Sequence, residues 1–400
     1  MFDYLQTTCK KYKGMEVNTT RSFFMDIKNS AITTGLYQLN TTDSNNLVEL
    51  DLQNFLDNEI PVTSILSVLS LLGVLGNLHA IVIFRRYPVS PVTILILWMV
   101  VVDFVTCFVC IPLELVQIRF KYTYPSNVLC KFTRFLTNYT SFTAGILLII
   151  ISVERRQKIC APFQWQLSLE RAKILGIIVI IVCAFMSIPS IFLYGFSELG
   201  VNYAETFDKG CTFLKGKQNL MPKTYAILVL VICLIGFCIC AVAYIQIVNV
   251  IRKQLRAEKN RTTQYLDGMS NNEEPASPGP RTRSESLAPE AWDQFTSTIQ
   301  RRKTRQKRYK DSRTMTIMLL IATGVSFAGF ILHVSAVILR ITIKPYALEG
   351  VRSIYSVLVR GYYLHSSVHP IIYFIVDQRF RTECKKFYRS IVMACSVSKK

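Results

Sequence analysis

Charge is scarce in this chain: Asp, Glu, Lys and Arg make up 18% of its 400 residues, where soluble chains carry about 25%. Acid is scarcer still, with 26 Asp and Glu against 46 Lys and Arg. The apolar share is 51% and the mean hydropathy +0.32. A soluble protein of two or three domains with this make-up would expose too much oil. Disorder is excluded for the opposite reason, since 24 Phe, 19 Tyr and abundant Ile, Leu and Val supply far more burial than a low-hydrophobicity segment can. No internal repeat is visible. Met1 is not followed by a basic segment and a short apolar core, so the first long apolar run is expected to act as its own insertion signal.

The bilayer remains as the solvent. Seven stretches come near the roughly 20 apolar residues that cross about 30 Å of hydrocarbon. They run from Pro61 to Phe84, Val92 to Ile118, Cys130 to Val153, Ala172 to Tyr194, Pro222 to Ile251, Thr314 to Leu339 and Val351 to Val376. The expected fold is an all-α membrane protein, a seven-helix transmembrane bundle with a short amphipathic eighth helix. Its parts are a polar tail (1–60), spans one to five (61–252), a basic disordered loop (253–312), spans six and seven (313–377), and an amphipathic helix with a tail (378–400). With seven spans the chain ends lie on opposite sides of the membrane.

A net charge of +20 admits three explanations: nucleic acid, an acidic partner, or a membrane-facing cytoplasmic surface. With the N-terminus outside, 29 of the 46 Lys and Arg fall on inner segments, 15 of them between Arg252 and Arg313. Asn18 and Asn40 each begin an Asn-x-Thr triplet in the polar tail, and sugar would be added there only if the tail is lumenal. Asn138 and Asn260 begin similar triplets in places that cannot be glycosylated on this topology. The basic block Arg301 to Arg308 adjoins a span, which favours attraction to anionic lipid over nucleic-acid binding. Ser284, Ser286 and Thr304 lie beside basic residues, where phosphorylation would subtract charge.

The twelve cysteines sort by depth. Cys130 opens span three, and Cys211 stands alone in the loop between spans four and five, so a disulfide between them is the economical pairing in an oxidising compartment. It would pin that loop over the mouth of the bundle. Cys9 is left over. Cys384 and Cys395 follow the last span and are candidates for palmitoylation, with free thiols as the plain alternative.

Polar residues inside the spans carry most of the functional information, because a charge at bilayer depth is costly and faces the bundle interior. Asn77 follows Gly76 in span one, and Asp103 lies midway along span two. Arg155, 25 residues and about 38 Å beyond Cys130, sits in Glu154-Arg155-Arg156 at the end of span three. Span seven carries His365 and the run His369-Pro370-Ile371-Ile372-Tyr373.

The ordered set resembles the rhodopsin-like family of G protein-coupled receptors, from about Pro61 to Arg389. Gly76-Asn77 is similar to the family's first-helix motif, Asp103 to its second-helix acid, and Cys130 with Cys211 to its bridged pair. Glu154-Arg155-Arg156 is similar to the Asp/Glu-Arg-Tyr end of helix three, with Arg for the aromatic. His369-Pro370-Ile371-Ile372-Tyr373 is similar to Asn-Pro-x-x-Tyr, with His for Asn, and Tyr244 falls where the family often has a tyrosine. The chain departs elsewhere: span four has no Trp, span five has Gly236 where a proline is expected, and span six lacks the Cys-Trp-x-Pro motif, leaving Gly324 and Gly329 as candidate bend sites.

The resemblance implies a cell-surface receptor in the plasma membrane, with an extracellular ligand and a heterotrimeric G protein as partners, and arrestin and receptor kinases beyond them. It implies membrane lipids as surroundings, no nucleic acid and no cofactor or enzymatic activity. Arg155 is the natural switch, held by Glu154 at rest and released toward the G protein and Tyr244 in the active form. Asp103 in the family often holds sodium; here His365 and His369, four residues apart on one face, favour an ion pair with Asp103 instead. The same three residues define a remote alternative, a membrane-embedded zinc hydrolase. Amine receptors of the family carry an acid where this chain has Thr137, with Asn138 beside it, so an amine ligand is not expected. Glu114, Arg134, Arg340 and Arg360 approach the outer mouth, and His333 joins them as a ligand candidate. A 60-residue tail, a bridged loop of about 27 residues and a charged mouth suit a peptide, with another small polar ligand second and an uncoupled receptor third.

Overall fold

A computed structural model describes residues 42–197, 210–214, 220–270, 300, 313–336 and 352–397. Two units divide the chain, Met1–Glu49 and Leu50–Lys400. Of the first, residues 42–49 are described, as helix. The core lies in the second. Six of the seven apolar windows form helices long and apolar enough to cross a membrane: Val48–Phe84, Pro91–Arg119, Asn127–Cys160, Leu169–Leu193, Ile227–Ala257 and Arg313–Ala336. These are spans one to six. Span seven is helical in two pieces, Arg352–Leu358 and Leu364–Val376, joined through a 3-10 turn at Gly361–Tyr363. The amphipathic eighth helix is Gln378–Val397.

Two boundaries differ from expectation. Helix begins at Thr42 and runs into span one, and span five continues in the helix Leu220–Ser270, well past 252. Polar, strong helix formers such as Arg252, Lys253, Gln254 and Arg256 extend the ladder once it leaves the apolar stretch.

Proline accounts for two irregular turns. π-Helical turns at Phe55–Glu59 and Thr106–Cys110 stand just before Pro61 and Pro112. A proline has no N–H for the carbonyl four residues back, and its ring crowds that turn, so each helix widens there. Serines set the starts of spans two, three and four: the hydroxyls of Ser90, Ser126 and Ser168 accept from the backbone N–H of Thr93, Leu129 and Arg171.

The all-α expectation misses one small sheet. Strands β1 (Tyr194–Ser197) and β2 (Gly210–Phe213) pair antiparallel, with Phe196 opposite Cys211. The Cys130–Cys211 disulfide, with Cα atoms 5.5 Å apart, ties β2 to the start of span three. This end of the bundle is called the bridged end.

Large apolar side chains such as Leu71, Phe185 and Ile375 are exposed, each more than 60%. That surface fits hydrocarbon. Inside, helices meet through small residues, as membrane bundles do. A Cβ added to Gly76 would stand 2.8 Å from Cβ of Pro370, and one added to Gly329 would stand 2.5 Å from the Gly361 carbonyl oxygen. Gly329 therefore lets spans six and seven touch backbone to backbone.

Candidate functional site

Polar side chains occupy three levels between the bridged end and the opposite one. The middle level centres on Asp103, fully buried on span two. Its Oδ2 accepts from Nδ1 of His369 at 2.8 Å, and its Oδ1 lies 3.8 Å from Nε2 of His365. The other ring nitrogen of His369 meets the Ser326 hydroxyl of span six at 3.2 Å. His369 is thus held from both sides. A 2.8 Å contact leaves no room for an ion between carboxylate and imidazole, and among the described residues no group of three or more His, Cys, Asp and Glu is arranged around a metal. This direct contact lends the zinc-hydrolase alternative no support.

Asn77 joins this level from span one. Pro370 cannot donate to the Ser366 carbonyl four residues back, and Asn77 Nδ2 donates to that oxygen at 2.8 Å. Gly76 admits the proline ring alongside. The Gly76-Asn77 pair and Pro370 are therefore two halves of one contact. Tyr373, fully buried, packs edge-on against Phe84 at 5.3 Å between ring centres.

Nearer the bridged end, Glu114 is buried between two arginines. Its Oε1 accepts from Nε of Arg360 at 2.9 Å, and Oε2 stands 3.6 Å from NH1 of Arg134. Arg360 also donates to the Ser356 carbonyl and hydroxyl, at 2.9 and 2.6 Å. The Ser356 hydroxyl bonds Glu59, which lies 3.9 Å from Lys121 Nζ. The Arg134 guanidinium stands 5.4 Å from the centre of the Tyr194 ring, and burial pushes that phenol's pKa up, so the ring meets the cation uncharged. Two guanidiniums against one carboxylate leave the trio one positive charge in excess. Below it, Thr137 and Tyr363 hydroxyls are 3.4 Å apart, and His333 donates through Nδ1 to the Val359 carbonyl at 2.6 Å. Asn138 is half-buried.

At the opposite end, Arg155 is 2% exposed. It grips its neighbour Glu154 with both Nε and NH2, at 2.5 and 2.8 Å, while NH1 meets the Met315 sulfur of span six at 3.9 Å. A bidentate pair of this kind is strong and directional. Tyr244 does not reach Arg155. Its hydroxyl lies 3.1 Å from that of Thr323, whose proton goes to the Leu319 carbonyl, so Tyr244 is the donor and ties span five to span six. Arg156 donates to Gln246 of span five.

The eighth helix is anchored more firmly than its sequence suggests. Asp377 caps it, accepting from the Arg379 N–H at 2.8 Å and from the Tyr87 hydroxyl at 2.9 Å. Burial first, then Asp377, holds the Tyr87 phenol well above its ordinary pKa. Cys384, a palmitoylation candidate, is only 4% exposed and its sulfur lies 3.2 Å from Nε2 of His79. Burial pushes its thiol pKa up, so in this arrangement it is neither accessible nor a ready nucleophile. Acylation at Cys384 would require the helix to leave span one. The Cys395 side chain, Asn18, Asn40 and Arg340 lie outside the described residues.

Sequence reasoning passes over Ser326, Ser356, Glu59, Met315 and Thr323. Glu59 stands among the polar residues of the tail, two residues before an apolar run. The others are ordinary polar or core residues until the spans are packed.

A profile of the 7 transmembrane receptor (rhodopsin family) matches residues 76–373. Rat neuropeptide Y receptor type 4 is 30% identical over 174 residues, which is 40% of this chain and 44% of that receptor. The nematocin receptor 1 of Caenorhabditis elegans is 33% identical over 81 residues, 20% of this chain and 21% of that one. The chain thus aligns with less than half the length of these relatives. Squid rhodopsin shares the fold, with a TM-score of 0.58, 14% identity and coverage of 83% of this chain and 80% of its own. Motifs, helix order and profile agree, and the chain belongs to the rhodopsin family of seven-transmembrane receptors.

Proposed function

We propose that the chain is a plasma-membrane receptor whose N-terminus and bridged end face outside, that it binds a peptide there, and that it activates a heterotrimeric G protein from the Arg155 end. One observation carries the ligand reading: buried Glu114 between half-buried Arg134 and Arg360 at the bridged end, a trio with one positive charge in excess. A peptide offers carboxylates, carbonyls and amides that suit such a surface. Relatives named for neuropeptide Y and nematocin support the peptide class. Thr137, at the position where amine receptors carry an acid, supplies no counter-charge for an ammonium. At the other end, Arg155 sealed by Glu154 and Met315 reads as the resting form, with release of span six as the activating change. Arrestin and receptor kinases belong to the same reading as partners of the active form.

The test is a peptide-library screen on cells expressing the chain, read by calcium and cyclic AMP. A peptide is expected to give a response that Arg155→Ala abolishes without changing surface delivery. A response to amines and to no peptide would overturn the ligand class, and a fully signalling Arg155→Ala would overturn the switch.

A further inference from the structure

A groove of about 380 Å³ runs along the seam between spans five and six, on the Arg155 half of the bundle. Its floor is the Tyr244–Thr323 hydrogen bond. One end is closed by the rings of Phe237 and Phe327, edge to face at 4.6 Å. The other end reaches Arg252. The walls are otherwise almost wholly apolar, and Ile245 on the rim is 60% exposed on the surface that faces hydrocarbon. Halfway along, Gly324 opens the wall: a Cβ placed there meets nothing within 4 Å.

Position and charge together select the occupant. A water-borne ligand does not reach a slot that opens sideways into the bilayer, whereas an acyl chain lies against it already. At the mouth Arg252 is exposed, with Lys253 and Arg256 exposed beside it in the chain, and no carboxylate lies within ion-pair distance of any of them among the described residues. Basic groups at this depth attract the anionic lipids of the cytoplasmic leaflet. We propose that the seam is a binding site for an anionic phospholipid, with one acyl chain in the groove beside Gly324 and the phosphate on Arg252. Naming the cytoplasmic leaflet rests on the orientation proposed above; the site itself does not. Since the floor is the bond that ties the two spans, the lipid fits the tied arrangement and favours it over one in which span six has moved.

Simple snorkelling of Arg252 to the interface would also attract phosphate, but it would not depend on the groove. Gly324 separates the two. A side chain added there starts in open space, so a phenylalanine is directed into the slot, and Arg252 is exposed, so its replacement leaves packing alone. The full chain is purified in mild detergent, supplied with phosphatidylserine, a phosphatidylinositol phosphate or phosphatidylcholine of identical chains, and its bound lipids are counted by native mass spectrometry. Wild type is expected to retain one anionic phospholipid in preference to phosphatidylcholine. Gly324→Phe and Arg252→Gln should each lower that retention about fivefold, while Gly324→Ala keeps it. Equal retention of phosphatidylcholine, wild-type binding by both variants, or displacement by the soluble headgroup alone would overturn the site. The readout is lipid mass, so a failure of peptide signalling would leave it standing.

Discussion

Asp103 and Glu114 are buried acids on the same span, and they are neutralised by opposite means. Glu114 sits between guanidiniums that keep their charge at any physiological pH. Asp103 faces two imidazoles, and the nearer holds it by a directed hydrogen bond from a ring nitrogen. The two environments therefore differ in what they can do. The Glu114 trio cannot discharge itself, so its excess positive charge is a fixed feature presented to whatever enters the bridged end. Around Asp103 hydrogen bonds run from the carboxylate through His369 to Ser326, linking spans two, seven and six, and they can be remade as the spans shift. A fixed charge suits recognition, and a hydrogen-bond chain across three spans suits a bundle with two packings.

The largest expected effect comes from breaking the fixed pair. Glu114→Ala leaves two half-buried guanidiniums without their carboxylate, and losing one partner of a fully buried ion pair would cost about 3–5 kcal/mol, an upper bound here. Surface delivery and the melting midpoint of purified receptor should both fall steeply. The combined replacement Glu114→Met, Arg134→Met, Arg360→Met should restore stability while leaving ligand binding absent, because the desolvation cost goes with the charges. Stability close to wild type in Glu114→Ala alone would mean that water, not Glu114, compensates these arginines.

Asp103→Asn should be milder. The amide oxygen still accepts from His369, so the loss is that of a charge-assisted hydrogen bond, about 1.5–3 kcal/mol. The same melting experiment checks it. A cost equal to that of Glu114→Ala would erase the distinction between the two sites. Ser326→Ala is gentler again, at about 1 kcal/mol for one hydrogen bond, and it should change the balance between resting and active receptor more than it changes folding. Basal signalling per receptor at the surface is the readout, and an unchanged basal level would remove Ser326 from the switching network.

Much of the fold is legible in the amino-acid sequence. Seven apolar windows are a signal on the scale of whole helices, and packing moves their ends without changing their number. The nearness of Asp103 to the histidines is legible too, because His365 and His369 share a helix face. Ser326 is not, since a serine in an apolar span declares no partner until Gly329 and Gly361 bring spans six and seven together. Glu59 is hidden by a boundary: its polar neighbours place it with the tail, and only a helix that begins before Pro61 carries it to Ser356. Cys384 misleads for a related reason. Amphipathic sequence marks the eighth helix correctly, but its register against span one, set by Asp377 and Tyr87, turns that thiol inward to His79.

The smallest expected effect is a null one, and it bears most directly on the two acids. If Asp103 were free to take a cation, sodium would compete with activation and lower agonist affinity. His369 occupies the carboxylate at 2.8 Å, and Ser326 holds the ring from behind. Entry of sodium would require the ring to leave both partners, exchanging two buried hydrogen bonds for coordination by one carboxylate and few neutral oxygens. Agonist affinity measured in sodium chloride should therefore equal that in choline chloride at the same ionic strength. His369→Asn, which restores a neutral oxygen ligand and clears the ring from the carboxylate, should bring sodium sensitivity back. Sodium sensitivity already present in the wild type would show that the ring swings away readily, and Asp103 would then be as open as Glu114 is closed.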